Sequence, residues 1–264
     1  MRSSVVSTNE LKVHGRRPSI SKETRVYAIG DIHGRLDLLK QLLSLCAADA
    51  AQNPIQRPIY VFLGDYIDRG QWSRETIDRL IDHAATHECV FLKGNHELIA
   101  ISCLTDRSKM DEWLRLGGRE TLASYGVAPR LIADRNKIAE MQMAFHNALP
   151  RSHIQFFRDL KRAFTCGDFY FAHAGVRPGV ELTKQKEEDL FWIRSAFLES
   201  THDFGKIIVH GHTPTKQVEI RSNRINLDTG AFATGILTCL VIEGGTLSLI
   251  DTSRDCSAIA KNSL

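Results

Sequence analysis

The chain has 264 residues, 43% of them hydrophobic and 25% charged, with 34 Lys+Arg against 31 Asp+Glu for a net charge of +3. That hydrophobic share supports one large core and excludes wholesale disorder, and no apolar run reaches the ~18 residues of a membrane span. A sequence pI near 8.5 lies below the roughly 9 that marks a nucleic-acid-binding domain, so neither nucleic acid nor membrane is an expected partner.

Residues 1–24 are rich in Ser, Arg and Lys and lack periodicity, so they read as a flexible N-terminal arm. They contain no apolar block of signal-peptide length, which points to the cytoplasm. Residues 25–29 are a short apolar run that stops at Gly30, as a buried strand would. Leu36, Leu39, Leu43, Cys46, Ala47 and Ala50 then recur at helical spacing until Asn53-Pro54. Residues 59–63 read as a second strand, ending at Gly64. Ile77, Leu80, Ile81, Ala84 and Ala85 mark a second helix with Ser73 as its N-cap, and residues 89–92 are a third strand running to Gly94. This alternation predicts right-handed crossovers and a largely parallel sheet.

From about residue 98 to 160 the pattern is helical. Trp113, Leu114, Ile138, Met141, Phe145 and Ile154 are core candidates, Gly117-Gly118 and Gly126 interrupt, and Pro150 opens a new helix. Strands then return: a hairpin of 163–166 and 169–172 about Gly167-Asp168, a strand at 206–209, and hairpins of 217–220 with 224–227 and of 236–242 with 246–250. Residues 252–264 read as a loose C-terminal tail. The expected fold class is α/β: one domain over 25–251, an α/β/α sandwich of two β-sheets with helices outside and a helical insertion at 98–160.

One local design recurs. An apolar strand runs into Gly and a ligand-type side chain follows, in Gly30-Asp31-Ile32-His33-Gly34, Gly64-Asp65-Tyr66-Ile67-Asp68-Arg69-Gly70 and Gly94-Asn95-His96-Glu97. Glycine allows tight turns and close backbone approach, and ligands sit at the carboxyl ends of parallel strands. Asp31, His33, Asp65, Asn95 and His96 therefore gather in one crevice. His173, in Ala172-His173-Ala174-Gly175, and the pair in His210-Gly211-His212-Thr213 match this style. Carboxylates, imidazoles and an amide without thiolate suit Mn²⁺, Fe or Zn²⁺ better than Ca²⁺, and one carboxylate shared by two ions gives a two-metal hydrolytic centre. Such a centre attracts a phosphate dianion, which Arg69 and Arg194 can grip bidentately. His96 can protonate a departing alkoxide, with Asp68 orienting the imidazole.

These five motifs, GDIHG at 30–34, GDYIDRG at 64–70, GNHE at 94–97, HAGV at 173–176 and HGHTP at 210–214, resemble the PPP-type metallophosphoesterases, most of all the bacterial and phage serine/threonine protein phosphatases. The resemblance spans residues 25–251 and implies a calcineurin-like metallophosphoesterase fold. It implies that Asp31, His33 and Asp65 hold one metal and that Asp65, Asn95, His173 and His212 hold the second. It further implies His96 as general acid with Asp68 as its partner, and Arg69, Arg194 and Asn95 on the substrate phosphate. Lys93 stands where many relatives carry Arg, which keeps the charge and loses the fork. His212 is placed on the metal, and His210 behind the ligands or facing phosphate.

The cysteines, Cys46, Cys89, Cys103, Cys166, Cys239 and Cys256, form no CxxC pair. Structural zinc and a thiol-phosphate intermediate are accordingly not expected, and Cys256 reads as exposed. Trp113 and the Met141/Met143 pair read as core of the insertion, Asp228-Thr229-Gly230 as a supporting turn, and residues 184–189 as a solvated face. The expected activity is metal-dependent hydrolysis of phosphoserine and phosphothreonine in proteins or peptides, by a water activated at two divalent ions, Mn²⁺ first. The alternative is symmetric hydrolysis of diadenosine tetraphosphate.

Overall fold

Strands that are apolar on both faces of the pleat build two sheets packed face to face, each with its outer face left for helices. The computed structural model describes residues 4–5, 11–13 and 15–253. The first sheet contains β1 (Ser4–Val5), β2 (Thr24–Ile29), β3 (Arg57–Phe62), β4 (Glu88–Phe91), β10 (Thr238–Glu243) and β11 (Thr246–Asp251), in the order β1-β11-β10-β2-β3-β4. The second contains β5 (Ala163–Cys166), β6 (Phe169–Ala172), β7 (Ile207–His210), β8 (Glu219–Ile220) and β9 (Arg224–Asn226), in the order β5-β6-β7-β9-β8. β2, β3 and β4 are parallel, as are β6, β7 and β9, while the hairpin partners run antiparallel.

The side-chain sorting follows the pleat. Val26 and Ala28 of β2 and Ile59 and Val61 of β3 meet Phe169, Phe171, Ile207 and Val209 between the sheets. Their neighbours Tyr27, Ile29, Tyr60 and Phe62 face the opposite way, onto α1 (Leu36–Gln52) and α2 (Ser73–Ala84). On the far side, Tyr170, Ala172 and Ile208 pack against Leu190, Phe191 and Phe197 of α9 (Glu187–Trp192) and α10 (Ser195–Leu198). Helix, sheet, sheet, helix is the expected α/β/α sandwich.

The insertion starts earlier than the periodicity suggests. α3 (Asn95–Cys103) begins inside the third motif, and α4 (Met110–Trp113), a π-turn (Leu114–Gly118), α5 (Arg119–Ser124), α6 (Pro129–Ala133), α7 (Ile138–Ala148) and α8 (Arg151–Asp159) follow. These helices share the outer core with α1 and α2. In α1 the expected Leu39, Leu43 and Cys46 are buried and the stripe widens to Leu38, Leu42 and Leu45, leaving Ala47 exposed. In α2 the half-polar stripe buries His83, stacked on His87, while Ala84 is exposed.

Several expectations need correction. The N-terminal arm is anchored where it is described: Leu11, Val13 and Ile20 are buried in the core between the sheets. Arg16 forms a two-pronged pair with Asp168 (2.5 and 2.9 Å), which also accepts the Ser19 N–H at 2.8 Å. Three apolar side chains in a polar stretch are enough to seat it. Ser73 is not an N-cap but the first residue of α2, its hydroxyl turned back to accept the Asp68 N–H at 3.0 Å. Met143 is exposed whereas Met141 is buried, because α7 shows the core one face only. Asp189 leaves the solvated stretch to pair with Arg177. Cys256 and the tail beyond residue 253 lie outside the described residues. Among the described residues no helix is long and apolar enough to cross a membrane.

Candidate active site

Register brings the glycine-terminated strands to a common edge. Ile29, Phe62 and Phe91 pair across β2, β3 and β4, and Phe171, Val209 and Ile225 align across β6, β7 and β9. The two edges meet where His173 Nδ1 bonds the Leu63 carbonyl at 2.9 Å. Gly94 and Gly211 permit the approach: a Cβ on either would strike a carboxylate oxygen, Asp65 Oδ1 and Asp31 Oδ1 respectively.

Past the strand ends the chain turns sharply. Among the described residues five non-glycine residues have positive φ, namely His33 (47°), Asp65 (53°), Asp68 (73°), Arg69 (67°) and His212 (67°). All five belong to the expected site. Such backbone costs of order 1–3 kcal/mol each and persists only where its surroundings enforce it. The Glu97 carboxylate does much of the enforcing. It accepts the N–H groups of Gly94 (3.0 Å), Asp65 (2.9 Å), Tyr66 (2.7 Å) and Ile67 (3.3 Å), tying the second motif to the third.

Asp65 stands between two groups of donors. Its Oδ2 lies 3.6 Å from His33 Nε2 and 3.8 Å from His96 Nε2, and its Oδ1 lies 3.4 Å from His173 Nε2. Ligand atoms of His33, Asp65 and His96 fall within 4.8 Å of one another, as do those of Asp65, His173 and His212. Asn95 Oδ1 joins the second group, 3.0 Å from His173 Nε2 and 2.9 Å from His212 Nδ1. Asp31 is drawn in through Oδ2, which accepts the His212 N–H at 3.0 Å. Its Oδ1, like His212 Nε2, is buried with no hydrogen-bond partner among the described residues. Orphaned buried acceptors are costly unless a cation meets them, so this set of oxygens and imidazoles fits divalent cations. His33 Nδ1 bonds the Ile67 carbonyl at 2.9 Å, which turns Nε2 toward Asp65.

The electrostatics reflect this crowding. Burial, with Asp228 and Asp65 nearby, raises Asp31 well above the usual carboxylate range. Burial pushes Asp65 the same way, but His173, His96 and His33 outweigh it and hold Asp65 well below that range. Burial and His96 lower His33 well below its ordinary value, and burial and His173 push His212 down to about 2. Both imidazoles are therefore neutral, the form that binds metal. His173 resists burial because Asp65 faces it, and is raised to about 10; a cation would displace that proton.

His96 serves a different end of the crevice. Its Nδ1 is 2.7 Å from Asp68 Oδ2, and although burial disfavours the imidazolium, Asp65 and Asp68 raise its pKa. Arg69 Nη2 lies 3.2 Å from His96 Nε2, and its guanidinium sits 4.5 Å from the centre of the Phe232 ring. Arg194 is exposed at the rim, reaching Thr213 Oγ1 (3.3 Å) and the His212 carbonyl (3.4 Å). Glu187 pairs with Arg162 instead.

The structure thus brings Asp31, His33, Asp65, Asp68, Arg69, Asn95, His96, His173 and His212 together, with Arg194 beside them. His210 goes elsewhere. It is the last residue of β7, its ring packs 5.0 Å from that of Phe197 and its Nδ1 is 3.0 Å from the Gly211 carbonyl, so it faces the outer core rather than phosphate. Sequence reasoning gave Glu97 no role, although Gly-x-x-Glu at a helix start is a capping signal. It also read Trp113 as core alone and passed over Thr121, yet both bond Asp68: Trp113 Nε1 at 3.0 and 3.1 Å, Thr121 Oγ1 at 2.6 Å. Asp228 closes its own turn, accepting the Gly230 N–H at 2.9 Å, and acts on the site through the charge it sets beside Asp31.

A model of the calcineurin-like phosphoesterase family matches residues 24–233. The bis(5'-nucleosyl)-tetraphosphatase PrpE (asymmetrical) of Anoxybacillus flavithermus is 28% identical over 238 residues, 80% of this chain and 88% of that one. Among solved structures, a cold-active protein-tyrosine phosphatase of a psychrophilic Shewanella aligns with TM-score 0.52 and 17% identity over 88% of this chain and 83% of its own. A protein serine/threonine phosphatase of Saccharomyces cerevisiae similar to human PP5 aligns with TM-score 0.50 and 17% identity, over 89% and 84%. At these identities the structures are alike in fold.

Proposed function

The chain belongs to the calcineurin-like phosphoesterase family, and from that premise we propose that it hydrolyses phosphoserine and phosphothreonine monoesters of proteins or peptides. The observation that carries this reading is the buried His96–Asp68 pair, 2.7 Å apart, beside Arg69. A serine or threonine alkoxide is a poor leaving group and needs a proton as it departs. A nucleotide leaving from an anhydride is a weak base and needs none.

Asp31, His33, Asp65, Asn95, His173 and His212 would hold two divalent cations, with Asp65 common to both. The donor set suits Mn²⁺ first, then Fe or Zn²⁺. Bound cations would supply Lewis-acid polarisation of the phosphoryl oxygens and acidify water. The protein's own residues do the rest. Arg69 and Arg194 bind the non-bridging oxygens, Asn95 touches the same phosphate, and Asp68 holds His96 so that Nε2 faces the leaving oxygen. Proton transfer from Nε2 then completes release of the alcohol.

A second reading is hydrolysis of a dinucleoside tetraphosphate, the substrate class in the name of the relative at 28% identity. Phe232 favours it: the ring is 37% exposed beside Arg69 and could stack a base. That relative's name favours an asymmetrical cut over the symmetric one. Turnover of a phosphothreonine peptide and of diadenosine tetraphosphate, with Mn²⁺ and then with chelator, decides. The peptide should be preferred by kcat/KM. A preference for the dinucleotide selects the second reading, with products showing the point of cleavage, and no chelator-sensitive turnover of either defeats both.

A further inference from the structure

We propose that Trp113 and Thr121 of the insertion are positioning residues for leaving-group protonation, acting through Asp68 on His96; this rests on the phosphomonoesterase reading above. Asp68 is completely buried and is divided between two structures. Its Oδ2 meets His96 Nδ1 at 2.7 Å and Trp113 Nε1 at 3.0 Å, and its Oδ1 accepts from Thr121 Oγ1 at 2.6 Å. Its backbone N–H donates to Thr121 Oγ1 (2.9 Å) and Ser73 Oγ (3.0 Å), and those hydroxyls lie 3.0 Å apart.

A carboxylate bonded to His96 alone could swing about its side-chain torsions and carry the ring with it. Donors from a separate element remove that freedom. Packing does not explain their polarity. Trp113 is fully buried, its ring 5.0 Å from Phe145, with Gly118 so close that a Cβ there would overlap the indole. An apolar ring could pack against Phe145 and Gly118 with no N–H at all, yet the N–H is there and aimed at Asp68. The same turn reaches the neighbouring residue: the Arg69 N–H donates to the Gly117 carbonyl at 3.2 Å, at a Gly117 φ of +111°. One stretch, residues 113–121, therefore braces both Asp68 and Arg69.

In the step that this brace serves, the oxygen of water forms a bond to phosphorus as the ester P–O bond breaks. The departing oxygen takes the proton from His96 Nε2, and the ring is reprotonated with the proton released by the water. With His96 misaligned, only esters whose leaving oxygen is basic should suffer.

The test compares the full chain loaded with Mn²⁺, as wild type, Trp113→Phe and Thr121→Val, on phenyl phosphate and 4-nitrophenyl phosphate. Each variant should lose about tenfold or more in kcat on phenyl phosphate, but change less than about twofold on 4-nitrophenyl phosphate, whose leaving group needs little help. KM should stay near wild type; the thermal midpoint should fall, because each variant strips a donor from a buried carboxylate, but below the melting range that fall touches both esters alike. In a His96→Asn background, Trp113→Phe should have no further effect on phenyl phosphate, because the two act in one unit. Equal losses on both esters, no loss on either, or full additivity with His96→Asn would overturn the proposal while leaving the phosphoesterase reading intact. If Trp113→Phe fails to fold, Thr121→Val decides by the same outcomes. No turnover of either ester by the wild type would overturn both.

Discussion

Asp65 combines a strained backbone with a central position. At φ 53° it lies within 3.4–3.8 Å of three imidazole nitrogens drawn from both donor groups. Asp65→Asn keeps the shape and removes the charge. Divalent cations should then bind more weakly, by more than the ~10–100-fold typical of a lost outer-shell contact, and under the two-cation proposal at both places; metal analysis after dialysis against dilute Mn²⁺ checks this. His96 contrasts with it, since its Nδ1 is committed to Asp68. His96→Asn should lower kcat by roughly 10²–10⁴, the usual yield of acid–base catalysis, with metal content near wild type. Loss of metal instead would make His96 a ligand.

At the scale of elements, the strand-end loops hold their form through Glu97 at the start of α3. An amide at that position has one acceptor oxygen, so Glu97→Gln leaves part of a four-donor cluster unsatisfied. The expected cost is about 1–3 kcal/mol in urea unfolding, with a parallel loss of Mn²⁺ affinity. Much at this scale was legible in the sequence. Apolar runs ending in glycine marked β2, β3 and β4, and each following polar residue reached the site. What was not legible depended on contacts across the chain. Trp113 meets Asp68 across 45 residues and Thr121 across 53; helical spacing marked Trp113 as core and passed over Thr121. His210 and His212 flank one glycine; the resemblance put His212 on the metal but left His210 between a place behind the ligands and one facing phosphate. The difference is geometric: His210 still belongs to β7 and faces Phe197, while His212 has passed into left-handed backbone that turns it toward Asn95.

For the molecule as a whole, the outer seal matters as much as the crevice. Asp168, in the β5–β6 turn, fastens residues 16–19. Burial opposes its ionisation, but Arg16 and the Ser19 N–H outweigh that and hold its carboxyl below the ordinary value. A depressed carboxyl adds stability above its unfolded pKa and loses it as the pH falls through the folded one. Wild type should therefore melt above Asp168→Asn at pH 7, by an amount near 1 kcal/mol or less given the exposure of Arg16. The gap should close as the pH drops below about 4; a constant gap in melting scans across that range would mean the pair contributes nothing.

The seat of Leu11, Val13 and Ile20 between the sheets bears on how this enzyme can be trimmed. The family match opens at residue 24, an inviting point at which to begin a shortened gene product. Cutting there would strip an oily cover from the inner core and take Arg16 and Ser19 away from Asp168, so a protein meant to be minimal would instead be sticky.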